Sequence, residues 1–160
     1  MQLTWHSYKY YPYERDLAVR EVRSLFNDPV LKEIEGGIEV NGRPDSKSAG
    51  RLTSFAGLAN GQRFQETTQA RLEQDARRGK NRQATRYSVH GLHEYKGKFN
   101  PQVVRALLNI FDVAPGEKVL DPFCGSGTTL VECAHVGALG FGTDLNPFAV
   151  FVANAKLLAL

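Results

Sequence analysis

The chain has 160 residues, a net charge of +3, 42% hydrophobic and 23% charged side chains, and two cysteines, Cys124 and Cys133. A chain of this size and make-up is one domain, or one domain with an appendage, and buries a core without disulfides; global disorder, collagen-like repeats and a disulfide scaffold are excluded. No apolar run reaches the ~18 residues that span a bilayer, the N-terminus lacks the apolar core of a signal peptide, and two cysteines suit a reducing compartment. The expected setting is cytoplasmic, with no membrane partner.

In chain order, Leu17, Ala18, Val22, Leu25 and Phe26 recur at helical spacing and predict an amphipathic helix over 13–26. Asp28 as N-cap with Pro29 at the first helical position predicts a second short helix ending at Gly36-Gly37, after which residues 38–40 extend. The stretch NGRPDSKSAG (41–50) is turn chemistry and predicts a loop. Residues 63–78 are polar helix formers that Gly79 would end. Residues 1–85 are thus expected to be a helical and loop extension. Its aromatic start, Trp5, Tyr8, Tyr10, Tyr11 and Tyr13, reads as core or partner interface ahead of base stacking.

Charge is unevenly placed. Residues 1–70 are neutral, 71–98 carry +5 and 99–160 carry −2. The middle stretch can neutralise phosphates, which makes Arg77, Arg78, Lys80, Arg82, Arg86, Lys96 and Lys98 candidate nucleic-acid contacts. A solvated helix and loop is the bland alternative.

From residue 86 the pattern sharpens. Asn100-Pro101 is an N-cap followed by proline, and Val103, Val104, Leu107, Leu108 and Phe111 form the buried stripe of a helix ending near Asp112. KVLD (118–121) is a short apolar strand of the kind buried in parallel sheets. Residues 122–127 form a glycine-bearing loop and 128–136 a helix stopped by Gly137. Residues 139–144 are a second strand, and Asn146-Pro147 opens a last helix that runs to Leu160. Strand, loop, helix and strand make an α/β unit with a right-handed crossover. Only two strands are countable, where a doubly wound sheet needs about five to seven. Phe148, Val150, Phe151 and Val152 make the last helix continuously apolar, so another polypeptide or further sequence is expected to cover it.

The chemistry sits in VLDPFCGSGTT (119–129) and GTDLNP (142–147). Gly125 and Gly127 let the backbone turn tightly and approach a ligand, and the amides at the following helix start face it. Asp144 closes the second strand, where an acid binds the hydroxyls of an adenosine ribose. No third glycine follows at a dinucleotide spacing, and no Lys follows as in a phosphate-binding loop. Asp121, at the mouth of the first strand, would repel a pyrophosphate. It suits a cofactor with an amino group and a positive charge, such as S-adenosylmethionine. Cys124 reads as a loop filler and Cys133 as helix core. The two cysteines with His90 and His93 have no zinc spacing, so no metal is expected. His93, Tyr95, Lys96 and Lys98 would either meet an anionic group or shape the loop.

The nonapeptide DPFCGSGTT (121–129) resembles the cofactor motif of amino-directed DNA methyltransferases, which modify adenine N6 or cytosine N4. The segment HGLHEYKGKFNPQ (90–102) resembles the stretch preceding that motif in permuted members, where an aromatic helps enclose the methionine end of the cofactor; Phe99 and Pro101 are the matching positions. The resemblance spans about residues 87 to 156. It implies a partial class I, Rossmann-like methyltransferase sheet over 86–160. In it Asp121 holds the methionine amino group, and Pro122, Phe123, Gly125 and Gly127 line the cofactor. Ser126, Thr128 and Thr129 satisfy the helix start, Asp144 takes the ribose, and Asn146 and Pro147 shape the site.

The family's catalytic [DNS]-P-P-[YFW] tetrapeptide, whose polar side chain and aromatic hold the flipped base, does not occur here; Asn146-Pro147-Phe148 lacks one proline. The implied reading is the cofactor-binding half of a split or truncated enzyme. Double-stranded DNA and a second polypeptide with the catalytic half would be its partners. A tRNA or rRNA guanine methyltransferase, which also carries D-P-F-x-G-x-G, and a non-catalytic binding module are the alternatives.

Overall fold

The computed structural model describes residues 1–41, 46–74, 76 and 82–160. Its elements are β1 (Gln2–Trp5), α1 (Pro12–Leu25), β2 (Val30–Ile34), β3 (Gly37–Asn41), α2 (Ser46–Arg51), β4 (Phe55–Asn60), β5 (Arg63–Glu66) and α3 (Thr68–Glu73). A 3-10 turn (Ser88–Gly91), α4 (Pro101–Ile110), β6 (Lys118–Asp121), α5 (Thr128–Val136), β7 (Leu139–Gly142) and α6 (Pro147–Leu158) follow.

The first half corrects the expectation of a helical and loop extension. It is an antiparallel five-stranded sheet in the order β2-β3-β1-β4-β5. The helix expected from Asp28 is the β2–β3 hairpin. Asn27 and Asp28 both take positive φ, of 55° and 52°, so they turn the chain instead of capping a helix. Ile34 pairs with Gly37, leaving Glu35-Gly36 as a two-residue turn with Gly36 at φ 75°. The single helix expected over 63–78 is β5 followed by α3. Asn60 pairs with Arg63 across a turn that begins with Gly61 at φ 61°, and the Thr67 side chain accepts from Ala70 N to start α3. Within the expected 41–50 loop, Ser46–Arg51 is the short helix α2.

Leu3, Ile38, Val40, Phe55 and Leu58 from the sheet pack on Ala18 and Val22 of α1 with Ala49 and Leu52. The far face of α1 lies on α4, which also packs on α5. A buried polar knot ties α1 to α4: the Glu21 carboxylate accepts from Thr53 Oγ1 at 2.6 Å, Thr53 N at 3.0 Å and Asn109 Nδ2 at 2.6 Å. Burial pushes the Glu21 carboxyl upward, and these donors pull the other way.

The second half follows the sequence reading closely. Asn100 caps α4, accepting from Gln102 N at 2.9 Å, and Asn146 caps α6, accepting from Phe148 N at 3.0 Å. Strands β6 and β7 pair in parallel, from Lys118 with Leu139 to Asp121 with Gly142, and α5 connects them. The molecule is therefore mixed α/β. Helix α6 buries Ala149, Val152, Ala153 and Lys156 but leaves Phe148, Phe151 and Leu158 exposed. Leu120 and Phe141 on the two strands are exposed as well. Gly140 and Gly142 face α5, so Leu120 and Phe141 lie on the opposite face of the sheet, which nothing among the described residues covers. The exposed side of α6 is a separate surface, where Phe148 meets the His93 ring at 5.4 Å. None of the described helices is long and apolar enough to cross a membrane.

Candidate functional site

The loop between β6 and α5 forms the site. Gly125 and Gly127 take φ of 50° and 79°, conformations open to glycine. Their surroundings differ. A Cβ on Gly125 would meet only Tyr95 Cε1 at 3.7 Å, whereas one on Gly127 would lie 2.8 Å from Ala153 Cβ of α6. Gly125 thus leaves room for a ligand, and Gly127 lets α5 and α6 touch.

Two carboxylates hold the loop open. Asp121 Oδ1 accepts from Phe123 N at 3.0 Å and Oδ2 from Thr129 Oγ1 at 2.6 Å. Asp144 Oδ2 accepts from Gly125 N at 2.9 Å and Oδ1 from Asn146 N at 2.8 Å. Each oxygen has a second lone pair left, so both groups are oriented in advance and can still accept from a ligand. The cleft beside them has a volume of about 70 Å³. It is lined by Tyr95, Gly97, Lys98 and Phe99 on one side and by Asp121, Phe123–Ser126, Thr128 and Thr129 on the other. Phe123 is 84% exposed and Phe99 62%, so two aromatic rings stand at the mouth.

Of the expected cofactor residues, Phe99, Asp121, Phe123, Gly125, Ser126, Thr128 and Thr129 converge on this cleft. Asp144 and Asn146 border it through their hydrogen bonds to the loop and to Tyr95; the Asn146 amide donates to Tyr95 OH at 3.4 Å. Gly127, Pro101, Pro122 and Pro147 do not line it: Gly127 packs against Ala153, Pro101 is buried in the first turn of α4, Pro147 opens α6, and Pro122 offers its carbonyl to Thr143 Oγ1. Cys124 fills the space against Gly142, where a Cβ would come within 2.6 Å of it.

Of the basic stretch, Arg77, Arg78 and Lys80 lie outside the described residues. Arg82 is already engaged: it pairs with Glu14 at 3.0 Å, donates to Lys9 O at 2.7 Å and stacks 3.8 Å from the Tyr11 ring. Arg86 pairs with Glu94 at 2.7 Å, and Lys96 is exposed. Lys98 turns inward to Thr85 O and His90 O. Burial, with Arg86 nearby, lowers its amine below the usual lysine range.

Two features escaped the sequence reading. The first is Lys156, buried behind the loop, where it donates to Ser126 O at 3.0 Å and Ser126 Oγ at 3.1 Å. Burial, and to a lesser extent Lys98, lowers its pKa to about 8. The signal was a lone cation on the Ala149–Ala153 face of an otherwise apolar helix. Its folded pKa lies below the unfolded value of 10.5, so between the two values the unfolded chain binds more protons and stability rises with pH. The expected result is that Lys156→Met gains relative to the parent at pH 7 and that this difference shrinks from pH 8 to pH 10. Denaturant titrations of both proteins at each pH check it; a difference independent of pH contradicts it.

The second is a fully buried cluster under the segment that carries Phe99. The Glu132 carboxylate of α5 accepts from Tyr87 OH at 2.8 Å, His90 Nε2 at 2.7 Å and Arg105 Nε at 2.5 Å. Burial raises its pKa, but Arg105 and His90 outweigh this and hold the carboxyl below its usual range. His90, Glu132 and His135 bring ligand atoms within 4.8 Å of one another. However, the Arg105 guanidinium on Glu132 Oε2 supplies the positive charge a metal would bring, so the cluster is an ion-pair knot.

A glycine loop between parallel strands, with a preset carboxylate ending the first strand and another just beyond the second, is the arrangement by which α/β proteins hold a nucleoside-type ligand. Residues 91–155 match the family described as UPF0020: RMKL-like, methyltransferase domain. The chain is similar to the Type II methyltransferase M.MjaII of Methanocaldococcus jannaschii, with 50% identity over 70 residues, or 43% of this chain and 13% of that protein. It is similar to the Type II methyltransferase M.BsoBI of Geobacillus stearothermophilus, with 36% identity over 69 residues, 43% of this chain and 14% of that one. It also resembles the tRNA (guanine(10)-N2)-dimethyltransferase of Methanothermobacter thermautotrophicus, with 36% identity over 52 residues, 32% of this chain and 16% of that one. The similarity to methyltransferases covers less than half of this chain in each case. It spans well under a fifth of the length of the relatives it matches.

Proposed function

We propose that residues 86–160 are the cofactor-binding portion of a Rossmann-like, S-adenosylmethionine-dependent enzyme that methylates an exocyclic amino group in double-stranded DNA, at adenine N6 or cytosine N4. The observation that carries this reading is the pair of preset carboxylates across the glycine loop. The Asp144 carboxylate has acceptor sites left for two ribose hydroxyls, and Asp121 for an ammonium group. The open space at Gly125 and the rings of Phe99 and Phe123 fit an adenosine and a sulfonium beside them. S-Adenosylmethionine, when bound, supplies an electrophilic methyl on its sulfonium. The residues of this chain orient it, and Phe99 and Phe123 exclude water from the mouth; catalysis of this kind is mainly orientation of two bound reactants.

No residue of this chain is assigned to hold the target base. The [DNS]-P-P-[YFW] tetrapeptide is absent from these 160 residues, and we place it on a second polypeptide or on other sequence of the same protein. The apolar side chains Leu120 and Phe141, exposed on the sheet face opposite α5, and the edges of a sheet with only two strands among the described residues suit such a complement. DNA is favoured over RNA because the similarity to the two Type II enzymes runs over 69 and 70 residues, against 52 for the tRNA enzyme. The matched family description and the tRNA relative favour the second reading, an RNA guanine methyltransferase.

Calorimetric titration of S-adenosylmethionine into the chain tests the reading. Binding is expected, and Asp144→Ala or Asp121→Ala should each weaken it at least about tenfold, the equivalent of one charge-assisted hydrogen bond. A folded chain that binds nothing, or variants that bind as well as the parent, would sink the assignment and leave a binding module. Transfer of labelled methyl groups to DNA or to tRNA by the assembled enzyme separates the two substrates.

A further inference from the structure

A cavity of about 270 Å³ lies away from the glycine loop, on the N-terminal sheet, walled by Trp5, His6, Tyr8, Tyr10 and Ile34, with Arg15, Glu33 and Gly36 at its rim and Gly37 at its base. The aromatic side chains brace one another. Trp5 stacks on Phe55 at 4.3 Å and leans on Tyr10 at 5.1 Å, Tyr10 lies 4.7 Å from Tyr8, and Tyr8 stacks on His6 at 5.1 Å. Tyr10 is fixed further by donating to Ser54 O at 2.6 Å and accepting from His6 N at 3.1 Å. The walls are therefore rigid before anything binds.

Three features separate this cleft from a core defect. The β1–β4 register shifts between Thr4 and Trp5, an irregularity of the sort that re-aims a side chain beside a site. Gly37 is where β3 crosses close to β1, since a Cβ there would lie 1.9 Å from Leu3 O, so any larger residue would displace the cleft floor. The two charged groups at the rim are uncommitted. Among the described residues no hydrogen bond or ion pair takes up the Glu33 carboxylate, and Arg15 makes only a ring contact, 5.4 Å over Trp5. An aromatic cleft with one cation and one acceptor at its mouth matches a flat heterocycle that carries an amino group and hangs from a phosphate.

We propose that the cleft walled by Trp5, His6, Tyr8 and Tyr10 holds a single unstacked nucleobase of a nucleic-acid strand. In this site Glu33 accepts from the exocyclic amino group and Arg15 meets the phosphate. The carboxylate offers only acceptors, and thymine and uracil present a single N3–H flanked by two carbonyls, so adenine, cytosine and guanine are admitted ahead of them. The site is separate from the glycine loop and does not depend on what that loop binds.

Trp5 is the only tryptophan of the chain, so its emission reports this cleft alone. The experiment titrates short single-stranded homopolymers of dA, dC and dT, their RNA counterparts, and a duplex into the 160-residue protein. The dA and dC strands are expected to change Trp5 emission at concentrations at least about tenfold lower than dT. Arg15→Ala should weaken all of them about tenfold, and Glu33→Gln should erase the preference against dT while leaving binding in place. Both residues are exposed, so the variants should melt as the parent does. Preference between DNA and RNA strands identifies the strand type that supplies the base. No emission change with any strand, or a change that neither variant alters in proteins of unchanged melting, overturns the proposal. Equal response to duplex and single strand overturns it too, because a paired base cannot enter.

Discussion

Replacing Glu132 with leucine is expected to destabilise the protein by about 3–5 kcal/mol, the cost of stranding a buried charge. Stabilities of about 5–15 kcal/mol are usual for a domain, so the variant should lose much of its cooperative unfolding transition. The reason is local. Arg105, His90 and Tyr87 all spend their hydrogen bonds on this one carboxylate, and Arg105 Nη2 and His90 Nδ1 have no other partner among the described residues. Urea titration of the variant beside Glu132→Leu/Arg105→Met checks the cause. Removing both charges should recover part of the loss, because the buried cation goes with the anion, while Tyr87 and His90 still lose their acceptor. Equal stability of the single and double variants would contradict the account. The carboxyl is held below its ordinary value of 4.5, so its contribution is complete above that value and is lost as pH falls through the depressed one. The parent should therefore show an acid-induced loss of stability below pH 4.5 that the double variant lacks.

Gly127→Ala should lose stability and ligand binding together. The left-handed backbone at φ 79° costs an L-residue about 1–2 kcal/mol, and a methyl 2.8 Å from Ala153 Cβ adds overpacking of about 1–3 kcal/mol. Adding Ala153→Gly to Gly127→Ala should recover the second part and leave the first, and a double-mutant cycle reads the coupling. Gly125→Ala is the contrast. It also carries a positive φ, but its Cβ would meet only Tyr95 at 3.7 Å. It should cost only the backbone part of stability while still obstructing the cleft. If both alanine variants lose the same stability, the packing role assigned to Gly127 is wrong.

The two halves of the chain differ in how far local signals reached. Asn100-Pro101 and Asn146-Pro147 predicted the starts of α4 and α6, and both asparagines accept the expected backbone N–H. The glycine loop, with Asp121 and Asp144, was likewise readable because each residue acts within a few positions of its partners. Hairpin signals in the first half were present but outweighed. Gly61 opens a two-residue turn, Gly61-Gln62, of the kind that joins antiparallel strands, and Glu35-Gly36 does the same work, yet a polar composition and Asp28-Pro29 favoured helices. Strand β5, whose four residues are all exposed, has little apolar alternation of its own. It is a strand because β4 beside it offers an edge.

The sequence by itself determined the parallel unit β6-α5-β7, its glycine loop and its carboxylates, because caps, turns and ligand loops are local chemistry. Only the tertiary structure decided the antiparallel sheet of residues 2–66, the ion-pair knot at Glu132, and the placement of Lys156 behind Ser126 and of Trp5 in a cleft. These join residues tens of positions apart, from Lys156 with Ser126 to Asn109 with Glu21. A buried charge is stable only where distant donors or acceptors arrive to meet it, and no local pattern records that arrival.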